Sequence, residues 1–369
     1  MRIAIAGGGL GGLTLARILH RHGIDAVVYE REEGRSARSQ GGMLDLHPES
    51  GQKALADAGL TGHFRSQARP EGEEHRILDP AGRALVHHTP EPGSFSGRPE
   101  IDRGALRDLL LDSLPDGTVA WHHRLIAATP RPSGGFALTF DGGRSADCEV
   151  LVGADGARSA VRPLLTDATL SPVATLVELS IADADRRHPE LAELVGPGNL
   201  WCIGVSQILA AQRQGDGSIR VGISLPADDR PLDAYRGKRA LLAMFDGWAP
   251  RLTALIEAAD GPPAPRRIEA MPTAARWTHK PGLTLIGDAA HLMPPVGEGA
   301  NQAMLDAATL AAELAANPAD PDSAIQAYEE AMFARIHPIA EMSARVQAMM
   351  LSPTAADDVV RFFAPHPTS

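Results

Sequence analysis

Residues 1–32 read MRIAIAGGGLGGLTLARILHRHGIDAVVYERE, and this stretch decides the fold. Arg2–Ala6 is a short apolar run, the length of a buried strand. From Leu10 to Arg21, Leu10, Leu13, Ile18 and Leu19 recur at helical spacing, and the pattern stops before Gly23, a helix-stop residue. Ala26–Tyr29 is a second apolar run, so the whole is a βαβ unit of about 30 residues, the size of a parallel crossover. Gly7, Gly9 and Gly12 form a GxGxxG loop between the first strand and the helix. Such a loop lets a pyrophosphate approach the backbone, while the helix start offers N–H groups and a positive dipole end. Glu30 follows 18 residues after Gly12 at the end of the second strand. A carboxylate there can accept both hydroxyls of an adenosine ribose. These four features together argue for a dinucleotide rather than a glycine-rich turn. They do not separate NAD from FAD, and Glu30 disfavours the 2′-phosphate of NADP at this site.

Working outward, Glu49–Ala58 and Arg103–Leu114 read as helices. From Val119 to Val152, apolar and polar residues alternate between turns at Ser133-Gly134-Gly135 and Asp141-Gly142-Gly143, the pattern of an antiparallel meander. Residues 172–182, 200–213 and 218–225 suggest a second antiparallel set with a turn at Gly215-Asp216-Gly217. The run Gly261-Pro262-Pro263-Ala264-Pro265 reads as a linker or domain edge. Leu283–Ile286 is a buried strand, and helices are expected over 299–316 and 323–350. The order implies an α/β chain with a discontinuous Rossmann-type domain, residues 1–170 plus 272–320. An antiparallel-sheet domain would occupy 171–271, and a bracing helix would lie in 321–369.

Composition narrows the function class. In 369 residues, 44% are hydrophobic and 22% charged, the balance of a soluble globular protein. A net charge of −11 opposes a nucleic-acid groove, which needs clustered excess cations. Cys148 and Cys202 make neither a disulfide framework nor a CxxC motif and read as buried free thiols. No apolar run reaches the ~18 residues of a membrane span, and a strand pattern beginning at Arg2 leaves no room for a signal peptide. A cytoplasmic monomer is expected. The absence of HExxH or a spaced Cys/His set argues against a metal, and the absence of GxSxG against hydrolase chemistry.

Two more strand ends carry acids. Val152-Gly153-Ala154-Asp155-Gly156 and Leu285-Ile286-Gly287-Asp288 each end an apolar strand in glycine and aspartate. Strand C-termini face the ligand crevice in open α/β sheets, so Asp155 and Asp288 can accept ribityl hydroxyls where Gly287 lets the backbone close in. Pro294-Pro295-Val296-Gly297-Glu298 then opens a helix at Gly299, Ala300 and Asn301. Backbone N–H groups there suit the anionic edge of a reduced flavin's pyrimidine ring.

In that order, GGGLGG…YER, GADGARSAVR and LIGDAAHLMPPVGEGAN resemble the class A flavoprotein monooxygenases, the para-hydroxybenzoate hydroxylase-like family. RSQGGMLDLH from Arg38 to His47 and RPEIDRGALR from Arg98 to Arg107 are similar to the TetX-type tetracycline-inactivating members. The similarity runs from residue 3 to about 335 and is weakest over 170–270. It implies non-covalent FAD, with Gly7, Gly9 and Gly12 on the pyrophosphate and Glu30 on the adenosine ribose. Arg103 would lie near the FAD, Asp288 on its ribityl and phosphate portion, and Asp45 near the isoalloxazine. Arg38 is the position tied to NADPH. No second dinucleotide fingerprint is present, so NADPH or NADH should bind transiently. The implied reaction is hydroxylation of an aromatic or polycyclic small molecule with molecular oxygen, through a flavin C4a-hydroperoxide.

The substrate side departs from the tetracycline pattern. Where that pattern carries Gln and Arg, this chain carries Glu178 and Leu200, and Arg220 stands where a His is expected. With Trp201 and Pro295 these are the substrate-side candidates, and they point toward a flatter, more apolar ring than tetracycline. The competing readings are a flavin-dependent reductase or halogenase on the same scaffold, though WxWxIP is absent, and a non-catalytic FAD-binding protein that sequesters a ligand.

Overall fold

The structure, a computed structural model, describes residues 1–37, 41–91 and 97–363. A parallel sheet of five strands runs in the order Leu283–Leu285, Val150–Gly153, Ile3–Ala6, Ala26–Tyr29, Val119–Ala120. Its central strands are apolar on both faces, as burial on both sides requires. The Leu10–Arg21 helix crosses back over it and packs against the Gly299–Ala316 helix. A Cβ on Gly11 would stand 3.1 Å from the Ala303 carbonyl, which is how closely the two helices cross.

The expected meander proves shorter than 119–152. Only Leu125–Pro130, Phe136–Phe140 and Ser145–Cys148 form the antiparallel three-stranded sheet. Its two flanks, Val119–Ala120 and Val150–Gly153, belong to the parallel sheet, where continuous apolar runs outweigh alternation.

A second, seven-stranded sheet runs in the order Asp260–Ala270, Ser171–Ile181, Ile219–Pro226, Gln207–Arg213, Asn199–Gly204, His75–Leu78, Ala84–His88. Residues 75–88 thus leave the block expected at 1–170 and extend this sheet. The proline-rich run is no linker: it lies within the strand Asp260–Ala270. That strand is at the sheet edge, the place where prolines without an N–H do least harm to a ladder.

Alternation gives this sheet two faces. Val177, Leu179, Leu200, Leu209 and Val221 point to a back core closed by the helices Pro189–Val195, Lys238–Met244 and Pro250–Glu257. Glu178, Trp201, Gln212 and Arg220 occupy the intervening positions on the front face. The Pro321–Met350 helix braces both halves. Its Tyr328 hydroxyl donates to the Leu285 carbonyl at 2.9 Å, and its C-terminal end at Met350 meets Ala174, Ile208 and Ile268 of the second sheet. The Ala355–Phe363 helix then covers Ile77 and Ile203 on the front face. Cys148 and Cys202 are buried free thiols, and burial pushes them up to about 11 and about 12. No described helix is long and apolar enough to cross a membrane.

Candidate functional site

Backbone crowding shapes the glycine loop. Gly7 has φ +109°, and a Cβ there would stand 2.3 Å from the Ala154 carbonyl oxygen. On Gly12 a Cβ would stand 2.1 Å from the Gly7 carbonyl oxygen, so the loop tolerates no side chain at either place. Gly9 instead opens onto free space. The Leu10–Arg21 helix starts here with no side-chain cap and no acid in its first turn, leaving its N–H groups and positive end for a ligand. Glu30 lies under the loop, 7% exposed, accepting from the N–H of Gly8 at 2.5 Å and of Glu32 at 2.9 Å.

Arg107, which the sequence reading passed over, locks this corner. Its guanidinium donates to the carbonyls of Gly8 at 3.2 Å and Arg35 at 2.9 Å and to the Glu32 carboxylate at 2.9 Å. The available signal was its place four residues after Arg103 on one helix.

The other two strand ends are tied together by a second overlooked arginine. Arg162 donates to Ala157 and Gly156 on one loop and to Asp288 and Ala289 on the other, at 2.7 to 3.3 Å. Beside it, Asp155 accepts the Ala160 N–H on Oδ2 at 2.7 Å, while its buried Oδ1 has no hydrogen-bond partner among the described residues. Burial pushes the Asp155 carboxyl above its ordinary range. Asp288, at the first position of the short helix Asp288–His291, keeps its side chain exposed. The turn before it is set by buried Asp306, which accepts the Gly287 N–H at 2.8 Å, lies 2.6 Å from His291 Nε2 and pairs with Arg335.

The Gly299–Ala316 helix also begins without a side-chain cap, close enough that a Cβ on Gly299 would be 3.8 Å from Asp288 Oδ1. Asn301, whose backbone N–H is the expected donor, uses its side chain elsewhere. Its side chain is spent on protein, accepting from the N–H of His47 and Gly51 and donating to the carbonyls of Asp45 and Gly297. Only its backbone can serve a ligand. Asp45 comes to the same place, 3.6 Å from where a Cβ on Gly297 would stand.

This donor set fits FAD. Open space at Gly9 and a bare helix start suit the pyrophosphate; Glu30 suits the ribose; exposed Asp288 and the orphaned Asp155 oxygen suit a polyol. The N–H groups at Gly299 and Ala300 suit an anionic ring edge.

Facing this cradle is the front of the seven-stranded sheet. Glu178 pairs with Arg220 and, at 3.2 Å, with Arg266. Burial opposes ionisation of Glu178, but hydrogen bonds and charge from both arginines outweigh it and hold the carboxyl below its ordinary range. Gln212 accepts the Met43 N–H at 3.1 Å. Arg220 and the Arg103 stem both lie within 4 Å of the position a Cβ on Gly41 would take. The segment 41–43 is therefore where cofactor side and sheet side meet.

Two expected substrate residues are placed elsewhere. Leu200 is 0% exposed in the back core, because it alternates with front-face Trp201 along one strand. Trp201 meets His75 edge-on at 4.3 Å and packs beneath the Ala355–Phe363 helix. Pro295 is exposed, and Arg38 lies outside the described residues. A cavity of about 540 Å³ opens nearby, lined by Val173, Met271, Thr273, Met293, Pro294 and Ala344 among others, with none of the expected substrate residues in its wall.

Residues 1–207 and 227–342 match the FAD binding domain family. The chain belongs to that family. Over 347 residues it is 33% identical to the 3-amino-4-hydroxybenzoate 2-monooxygenase PtnB3 of Streptomyces platensis, covering 92% of this chain and 85% of that protein. The fold is similar to that of Klebsiella pneumoniae HpxO complexed with FAD and uric acid, at TM-score 0.81 and 23% identity over 98% of this chain and 93% of that one. It is also similar to tetracycline destructase Tet(51), at TM-score 0.73 and 19% identity over 100% and 99%. This family member is an FAD-dependent monooxygenase, class A-like in fold.

Proposed function

We propose that the protein hydroxylates an aromatic or polycyclic small molecule, with NADPH or NADH as transient reductant and molecular oxygen as co-substrate. The observation that carries this reading is the junction at 41–43, where Arg103 from the cofactor side meets Arg220 and Gln212 from the sheet. Bound FAD would supply the redox chemistry, hydride acceptance from the nicotinamide and transfer of one oxygen atom of O₂ to substrate. Backbone at Gly7, Gly9 and Gly12 would bind the pyrophosphate, Glu30 the ribose, and Asp288 with Asp155 the polyol. Asp45 and the helix start at Gly299 would flank the ring system.

One carboxylate shared by two guanidiniums leaves the Glu178–Arg220–Arg266 cluster net positive, which suits a phenolate or carboxylate edge. The apolar cavity of about 540 Å³ suits a flat ring body. Tetracyclines are read as poor substrates, since the position where an arginine would grip them holds Leu200, turned into the core. The resemblance to the TetX-type enzymes is then one of scaffold and cofactor half.

The test is ligand-stimulated NADPH oxidation, with oxygen uptake and product analysis, on phenols, aromatic polyketides and tetracyclines. Hydroxylation of a phenol or flat polyketide ahead of tetracycline is expected. Efficient tetracycline hydroxylation overturns the substrate reading. Oxidation that never yields hydroxylated product marks a reductase, and no stimulation by any ligand favours sequestration. Sedimentation of the same preparation checks the expected monomer.

A further inference from the structure

Met43–Asp45 and Glu100–Asp102 form a two-stranded antiparallel ribbon whose register sets Asp45 opposite Glu100. Directly opposed side chains share a face with Cβ atoms about 4.5–5.5 Å apart, and two charged carboxylates so placed repel. Glu100 is 5% exposed. Its Oε1 accepts from Asn199 Nδ2 at 3.0 Å, whereas its Oε2 is buried with no hydrogen-bond partner among the described residues. The charged groups that face it are Asp45 across the ribbon and Arg69 and Glu73 from the neighbouring turn; from the seven-stranded sheet comes only neutral Asn199.

Asp45 continues outward. Its Oδ2 is 3.0 Å from Nε2 of His47, a ring only 2% exposed. On its other side, His47 Nδ1 has no hydrogen-bond partner among the described residues and stands 3.6 Å from Glu298 Oε1 and 3.9 Å from Glu49 Oε1. The Glu49 side chain is 68% exposed. Four acids and one imidazole thus run from the buried ribbon to solvent, with the Asp45 side chain itself 35% exposed on the side proposed to receive the flavin ring.

We propose that Glu100 is kept as the neutral acid in the resting protein and that Asp45 and His47 carry its proton to and from solvent at Glu49. In the outward direction the Glu100 O–H bond breaks and an O–H bond forms on Asp45. Asp45 then protonates His47 Nε2, and the Nδ1 proton leaves to Glu298 or Glu49. One proton moves and no electrons do. Burial first, and then the Asp45 charge, push Glu100 up to about 8, against the opposing Asn199 hydrogen bond and Arg69 charge. A relay of this kind matters to the proposed reaction, because NAD(P)H + H⁺ + O₂ + RH gives NAD(P)⁺ + ROH + H₂O. The reaction consumes that proton at the site. The inference rests on the proposed flavin pocket, yet its test does not need turnover.

Infrared difference spectra of the FAD-loaded protein, wild type minus Glu100→Gln, should show a protonated-carboxyl stretch that titrates away around pH 8. Asp45→Asn should move that midpoint down, since it removes a like charge. After a pH jump across the midpoint, His47→Gln should slow loss of the band by about tenfold or more. If Glu100→Gln fails to fold, isotope-labelled glutamate in the wild type reads the same band. A Glu100 that is already ionised from about pH 5 upward overturns the neutral acid. A jump response unchanged in His47→Gln overturns the relay.

Discussion

The candidate cofactor cradle and the sheet face proposed to meet substrate are built from different materials. The cradle is mostly backbone: a glycine loop, two uncapped helix starts and two strand ends, with buried side chains acting as ties behind it. The substrate face is side chains projecting from neighbouring strands of a sheet, where one ion-pair cluster spans three of them. Backbone geometry admits few substitutions, whereas side chains on a sheet face can change while the ladder beneath is kept. The cradle should therefore be brittle and general, the sheet face tolerant and selective.

Gly12→Ala should break the first half of that comparison if anything does. A Cβ there meets the Gly7 carbonyl at 2.1 Å, a clash that only backbone movement relieves. The expected cost is about 3 kcal/mol, read as a lowered Tm and as colourless protein after purification. Yellow protein of normal Tm would show that the loop is not under this constraint.

Arg162→Met should come next. It leaves four carbonyls on two loops without their shared donor, for roughly 2–3 kcal/mol in stability and a weaker FAD Kd. Melting and FAD titration report the two together, and an effect on neither would show that Arg162 does not tie the two loops. Asp288→Ala separates ligand from fold. Its side chain is exposed, so the melting of the apoprotein should stay put while FAD affinity falls about 10–100-fold, or about 1–3 kcal/mol.

Glu178→Gln sharpens the other half. Stability should change by less than about 1 kcal/mol near neutral pH, because the pair is partly solvated. Arg220 and Arg266 hold the wild-type carboxyl below its unfolded value, so its contribution is present above the ordinary carboxylate range and lost as pH falls through the lowered one. The variant should lack that acid-side loss in urea melts, and KM should fall for anionic rings while FAD content is unchanged. Glu100 has the opposite sign: raised by burial and Asp45, it contributes stability at acid pH that fades as pH climbs to about 8. In Glu100→Gln that slope should vanish. A variant that keeps the wild-type slope would assign it to another group.

Much of the cradle was legible in the chain. GxGxxG, GADG and LIGD are contiguous motifs, and each works because its atoms are local: a strand end and the turn after it lie within a few residues of each other, and Glu30 directly follows the very next strand. Local spacing thus placed Gly7, Gly9, Gly12, Glu30 and Asp288 where the structure has them, along with the two long C-terminal helices. The ties behind the motifs were not legible. Arg107, Arg162, Asp306 and Glu100 act on partners tens to more than a hundred residues away, and beyond the helical spacing of Arg107 from Arg103 their own neighbourhoods do not mark them.

The sheet face depended still more on tertiary structure. Side chains alternate with a period of two, so whether Leu200 or Trp201 faces the site turns on register and on which face the helices cover. The proline run became an edge strand, and residues 75–88 joined a sheet begun almost a hundred residues later, both through pairings between distant segments. What the sequence determined by itself was a dinucleotide-binding cradle, because phosphate and ribose recognition is written in backbone turns. The tertiary structure alone decided which side chains share the front face of the sheet and which acid is buried opposite another, because burial and charge proximity are properties of neighbours that the chain brings together only on folding.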